Sequence, residues 1–272
     1  MYDFDAVPPV PYIKYLDCRN TAVLVHCPFY PPDKPRSVRI NEWFYFVPST
    51  SEIRPYRERS AVKGDNLDSV RKSFNRLKAL INCNYDSPDQ VRYITLTYSE
   101  NMTDNKRLRK DLFPFFRRMR SMYGSFEYLY VKERQARGAW HVHMVLFFPC
   151  PAPFMSNTED DHPVRDAWGH GFVNVQGFSN DINNLGNYLC AYLTDSKEES
   201  KKGARLGNYE SGIRLYNCSR GVKRPISSAM SYDEYLEFVA DRENTLISEH
   251  ETNILLASGE PKKFRRELYA II

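Results

Sequence analysis

The chain has 272 residues, 42% hydrophobic and 26% charged, with a formal net charge of +4. That describes an ordinary globular protein with one large or two small domains and a sizeable core. The net charge is too mild to demand a nucleic-acid partner on its own, and no apolar run approaches the ~18 residues of a membrane span.

Taken in order, residues 1–64 are rich in proline and aromatics, and "TAVLVHCPFY" and "SVRINEWFYFVP" predict strands separated by "PPDKP". "NLDSVRKSFNRLKALINCN" has Val70, Phe74, Leu77 and Ile81 at helical spacing. "VRYITLTYSEN" is a β-branched strand. "DNKRLRKDLFPFFRRMRSMYG" predicts a helix with Leu108, Leu112, Phe115, Phe116 and Met119 on its apolar stripe. Pro114 is expected to bend that helix or mark its start. "FEYLYVKER" and "WHVHMVLFFP" are two strands joined by "QARGA", and "GFVNVQGF" is a short one. "NDINNLGNYLCAYLTDSKEESKK" predicts a helix, and residues 231–272 a helical segment on the same domain. The order of strands and helices points to an α+β fold, an antiparallel sheet with helices packed on it.

Local charge is more informative than the total. Lys106, Arg107, Arg109, Lys110, Arg117, Arg118 and Arg120 crowd one predicted helix, and further basic clusters span 54–78 and 201–224. Such clusters suit a phosphate backbone, although a solvated helix face has the same composition. The 19 tyrosines and 16 phenylalanines suit both strands and base stacking. Six cysteines form no CxxC pair, which gives neither a zinc pattern nor a disulfide framework. Asp3, Asp5 and early prolines interrupt any leader, so the expectation is an intracellular protein with reduced thiols.

His141 and His143 open an otherwise apolar strand. Residues i and i+2 share one strand face. A turn centred on Arg137 sets Glu133 across from His141, with Cβ atoms ~5 Å apart. Two imidazoles and a carboxylate then converge as a ligand set for a divalent metal with open positions. A one-residue slip would turn Glu133 to the other face. Two structurally bonded histidines are the plainer alternative.

Tyr188 and Tyr192, in "GNYLCAYL", are four apart and share one helix face. A phenol near its ordinary pKa of ~10 is a poor nucleophile. It attacks phosphate when a metal polarises the target. A pair of core aromatics has the same spacing.

Together these residues resemble the HUH-endonuclease replication initiators of rolling-circle plasmids and single-stranded DNA phages. "HVH" (141–143) matches the His–hydrophobic–His motif, and "YITLTYSEN" is similar to the first motif of the F-x-TLT type. "YVKERQARGAWHVH" is similar to the metal hairpin, with Glu133 as third ligand, and "NYLCAYLTD" to the tyrosine helix. Trp168 to Gly171 and "RLYNCSRGVKRP" continue the likeness, which covers roughly 65–230.

The resemblance implies a central sheet of about five antiparallel strands flanked by helices. It implies that Glu133, His141 and His143 bind Mg²⁺ or Mn²⁺ and that Tyr188 or Tyr192 is the nucleophile. The reaction would be nicking and rejoining of single-stranded or hairpin origin DNA through a 5′-phosphotyrosine link. Arg117, Arg118, Arg120, Arg220 and Lys223 are candidates to hold the DNA backbone. The absence of G-x-x-x-x-G-K-[ST] predicts no nucleotide cofactor. A host helicase and polymerase would then be partners, in the cytoplasm of a bacterial host. Residues 1–64 would be an extension that reads duplex DNA beside the nick or completes the sheet.

One departure matters. The family often has a lysine three residues after each tyrosine, where this chain has Ala191 and Asp195. Lys197 is a substitute by proximity to Tyr192. Relaxases and transposases of the same class, a DNA-binding regulator without cleavage, and an unrelated His-x-His metalloenzyme are the other readings.

Overall fold

The computed structural model describes residues 12–27, 37–48, 50–56, 67–135, 137–178, 185–186, 188–189, 216–241, 243–255 and 261–271. The fold is α+β with antiparallel sheets. The chain divides into two units, one of residues 1–16, 22–60 and 227–269, the other of 17–21, 61–226 and 270–272.

The second unit is built on a five-stranded sheet. In chain order its elements are α1 (Leu67–Asn82), β6 (Val91–Thr97), α2 (Asn105–Tyr123), β7 (Glu127–Arg134), β8 (Trp140–Phe147), α3 (Pro163–Trp168), β9 (Val173–Gly177) and β10 (Tyr216–Cys218). The strand order is β10-β7-β8-β6-β9, so β8 is central. Its burial follows from that position, with packed layers on both faces.

Alternation along the strands makes two cores. Ile94, Leu96, Trp140, Val142, Met144 and Leu146 point one way, onto Leu108, Leu112, Phe115, Phe116 and Met119 of α2 and onto α3. Val91, Tyr93, Leu129, Val131, Val145 and Phe147 point the other way, onto Leu77, Leu80 and Ile81 of α1 and onto Leu185, Leu189 and Val222. Each such buried side chain contributes roughly 1.5–3 kcal/mol.

Helix α2 does not start at Pro114. It begins after Asp104, whose side chain accepts from Lys106 N at 2.7 Å, and runs through Pro114. The N-cap and the apolar stripe outweigh the one lost backbone bond.

The first unit pairs β1 (Tyr12–Asp17) and β2 (Thr21–Cys27) with β11 (Ile226–Met230), β12 (Asn244–Leu255) and β13 (Pro261–Ile271), in the order β11-β1-β2-β13-β12. Helix α4 (Tyr232–Ala240) starts at a capping box of Ser231 and Glu234. The expected helical segment after residue 231 is therefore confined to α4, and beyond it the chain forms the strands β12 and β13. The N-terminal strands do not complete the histidine-bearing sheet, because β1 and β2 join the C-terminal strands in another one. A separate three-stranded sheet holds β3 (Val38–Arg39), β4 (Phe44–Val47) and β5 (Glu52–Pro55).

Candidate active site

Strand β8 places His141 and His143 on one face. Its register with β7 sets Glu133 opposite His141, as the turn centred on Arg137 predicts. On the other side β6 sets Thr97 opposite His141 and Thr95 opposite His143. Pairing with two neighbours fixes this register against slippage.

One ligand atom from each of Glu133, His141 and His143 lies within 4.8 Å of the others. His143 Nε2 is 2.8 Å from Glu133 Oε2, and both side chains are nearly sealed from solvent. On the far side of that ring, Nδ1 is 2.8 Å from the Tyr93 hydroxyl and 3.4 Å from Thr95 Oγ1. His141 Nε2 is 2.7 Å from Thr97 Oγ1, and the two imidazole centroids are 4.8 Å apart.

The donor set fits a divalent ion. Two imidazoles and a carboxylate are intermediate ligands, suited to Mn²⁺ and acceptable to Mg²⁺. Their spread is only slightly larger than the ~4 Å between opposite ligands around an ion with bonds of about 2.1 Å. Were His143 to hold an ion through Nε2, its Nδ1–H would donate to the Tyr93 oxygen and fix the ring.

The end of β6 is clamped from outside. Trp168, 1% exposed, donates its Nε1–H to Thr97 O at 3.1 Å. Thr97 N donates to Phe172 O at 2.8 Å and Ser99 N to His170 O at 2.9 Å. Gly171 has φ +150°, and a Cβ there would stand 2.5 Å from Thr97 O and Ser99 N. The W-x-x-G spacing thus holds the strand end that presents Thr97 to His141. Beneath it, burial and the bond to Asp111 push the Tyr98 phenol well above its ordinary pKa, so it remains a donor to Asp111 at 2.8 Å.

Leu185, Gly186, Tyr188 and Leu189 are helical. Leu185 and Leu189 are buried in the core on the same sheet face as the histidines. Tyr188 is 38% exposed, with its ring edge-on to Phe178. The end of α1 receives this segment: Gly186 N donates to Asn82 Oδ1 at 2.9 Å and Leu185 N to the Tyr85 hydroxyl at 3.3 Å. Burial raises the pKa of Tyr85 and keeps it neutral. Tyr192, Ala191, Asp195 and Lys197 lie outside the described residues.

The basic candidates separate between the two layers. Helix α2, with Arg117, Arg118 and Arg120, packs on the sheet face away from the histidines. Arg118 donates to Ala167 O at 2.8 Å, and Arg120 donates to Phe126 O while lying over the Phe126 and Tyr128 rings. Arg220 and Lys223 are exposed on either side of Val222, which is buried in the core on the histidine face. Asn84 holds that segment through both the N–H and the C=O of Lys223.

Strand alternation pointed to Glu133, His141 and His143, the group that could hold a metal ion. It did not single out Tyr93, Thr95 and Thr97 as the groups that hold the histidines. Their signal was parity with His141 and His143 once β6 is paired with β8, a pairing between residues 44–50 apart in the chain that no local pattern displays.

Among the described residues no helix is long and apolar enough to cross a membrane. Residues 91–197, fewer than half of the chain, match the family model described as Replication-associated protein, of the ORF2 type. The matched stretch includes Glu133, His141, His143, Tyr188 and Tyr192. No curated protein and no solved structure matches the chain.

Proposed function

We propose that this protein is an HUH-type initiator of rolling-circle DNA replication that nicks and rejoins one DNA strand. The observation that carries the reading is the register-fixed group of Glu133, His141 and His143, inside the stretch that matches a replication-associated family.

Glu133, His141 and His143 hold Mg²⁺ or Mn²⁺. An ion held there would supply Lewis-acid polarisation of the scissile phosphate and offset the charge that develops on it. Tyr93, Thr95 and Thr97 orient the two imidazoles. The phenolic oxygen of Tyr188 or Tyr192 attacks phosphorus and gives up its proton. The bond from phosphorus to the 3′ oxygen breaks, and that oxygen leaves with a proton as a free 3′-OH. The 5′ end stays on the tyrosine, one phosphodiester has replaced another, and no nucleotide is consumed. Reversal rejoins the strand. Arg220 and Lys223, exposed on either side of Val222, meet the DNA backbone in this reading. Arg117, Arg118 and Arg120 contribute through the field of the whole unit or through more distant DNA. A single-stranded or hairpin origin is the substrate, a host helicase and polymerase act with it, and the site of action is the bacterial cytoplasm.

A gel assay for covalent attachment tests this. Labelled single-stranded oligonucleotides from the element's own origin region are mixed with protein and Mn²⁺ or EDTA. A denaturant-resistant band is expected with Mn²⁺ alone. It should disappear in His141→Ala/His143→Ala and in one of Tyr188→Phe and Tyr192→Phe. Wild-type cleavage by the double histidine variant would overturn the metal assignment. The absence of lysine at Ala191 and Asp195 favours one second reading, a DNA-binding regulator on the same fold. Tight DNA binding without any covalent band would select it.

A further inference from the structure

The three-stranded sheet of β3, β4 and β5 has two unlike faces. Its register pairs Arg39 with Tyr45 and Tyr45 with Arg54, so these three form one row across the sheet. The next pair along the same face is Trp43 and Tyr56, joined by Tyr56 N donating to Trp43 O at 2.8 Å. The opposite face carries Val38, Phe44, Phe46 and Ile53, with no charge. One face therefore gathers three aromatic rings and two guanidinium groups.

Arg39, Trp43, Arg54 and Tyr56 are exposed and Tyr45 is half-buried. Trp43 is 67% exposed and Tyr56 44%. The Tyr45 and Tyr56 rings lie 5.0 Å apart and brace each other. Arg39 donates to Asn41 O at 3.1 Å. Arg54 pairs with Glu52 at 2.6 Å, and both are about half exposed. An exposed pair of that kind is weak, so a phosphate can displace the carboxylate. Glu42 and Glu52 are the acids of this segment, and Glu52 stands at the far end of the face from Trp43.

Flat rings interleaved with arginines are what a single strand of nucleic acid requires. Unpaired bases stack on the rings and phosphates meet the guanidinium groups. A duplex hides its base faces, and an apolar protein partner has no use for two arginines. We infer that the Arg39–Tyr45–Arg54 row with Trp43 and Tyr56 is a stacking platform for single-stranded DNA, separate from the metal-ligand trio. The choice of DNA over RNA rests on the replication reading above; the preference for a single strand does not.

The other two tryptophans, Trp140 and Trp168, are 0% and 1% exposed, so the intrinsic fluorescence open to a quencher is that of Trp43. The full chain is titrated in EDTA with a 20-nucleotide oligo-dT, with the matching duplex, and with oligo-rU. No metal and no cleavage enter the measurement, so failure of the nuclease reading leaves it intact. The expected result is loss of Trp43 emission and protection from acrylamide with oligo-dT, and weak response to duplex. Trp43→Phe should lose the signal yet keep the binding seen by anisotropy. Trp43→Ala and Arg54→Ala should each weaken oligo-dT binding about ten-fold, with unchanged circular dichroism. Unaltered affinity in both alanine variants, or Trp43 equally open to acrylamide with DNA bound, overturns the platform. So does protection of Trp43 that grows with protein concentration in the absence of DNA, which assigns the face to a second copy. Equal or tighter binding of oligo-rU overturns the choice of DNA.

Discussion

Tyr93 is the side chain that ties the first strand of the matched stretch to the candidate metal ligands. Its hydroxyl sits 2.8 Å from Nδ1 of His143, on the opposite side of the ring from Glu133. Partners of this kind hold a ligating imidazole in one tautomer, and their loss typically costs 10–100-fold in metal affinity. Tyr93→Phe is therefore expected to weaken Mn²⁺ binding about ten-fold, read by calorimetric or paramagnetic titration. The melting temperature should barely move, since the ring is kept. Unchanged Mn²⁺ affinity would leave Thr95, at 3.4 Å, as the group that fixes the ring. At this scale the sequence was legible for the residues that alternate on one strand. It was silent on Tyr93, because a tyrosine in a strand is an ordinary core residue until its cross-strand neighbour is known.

At the scale of elements, the joint between α1 and the Tyr188 segment sets where the proposed nucleophile stands. Gly186 packs so closely that a Cβ would stand 2.6 Å from Lys78 O and 2.7 Å from Asn82 Oδ1. Lys78 O is helix backbone and cannot give way cheaply. Gly186→Ala should push the segment off α1 and reduce covalent attachment at least ten-fold, while Mn²⁺ binding at Glu133, His141 and His143 stays as in the wild type. A variant that loses metal binding as well would mean the segment supports the whole site rather than the tyrosine alone. Helix α1 and strands β6 to β9 were readable from periodicity and apolar stripes. The paired strands β12 and β13 were not, because β12 is largely polar and exposed and its charges are matched across the pair: Lys263 with Glu251 at 2.6 Å and Arg265 with Glu249 at 2.7 Å. A strand whose partner supplies the stabilising charge has no alternating pattern of its own to read.

On the scale of the whole molecule, each unit has its own buried chemistry. The first is organised around Glu267, fully buried, with His26 Nε2 at 3.0 Å, the Tyr235 hydroxyl at 3.2 Å, and the Arg265 guanidinium. Burial alone would raise the Glu267 pKa, but its bonds to His26, Arg265 and Tyr235 outweigh burial and hold it below the ordinary carboxylate value. A depressed folded-state pKa contributes stability that is present above the unfolded value of ~4.3 and lost as pH falls through the folded one. The first unit should therefore melt at progressively lower temperature as pH drops below about 4.3. Glu267→Gln should melt lower at pH 7 and lose part of that acid dependence. An unchanged acid profile in the glutamine variant would place the dependence on other carboxylates.

The pairing of β2 with β13 also sets a schedule. Strand β2 ends at Cys27 and its neighbour β13 begins at Pro261, so the ribosome must add residues 28–260, most of the second unit among them, before that edge of β2 is covered. At elongation rates of about 5–20 residues per second the wait is roughly ten to fifty seconds. During that time one edge of a largely apolar strand has unpaired backbone groups that invite pairing with another nascent chain. A chain released before β13 would carry Glu133, His141 and His143 but leave that edge permanently open. Synthesis of β13 thus acts as a gate, and only chains that reach it bury this aggregation-prone edge.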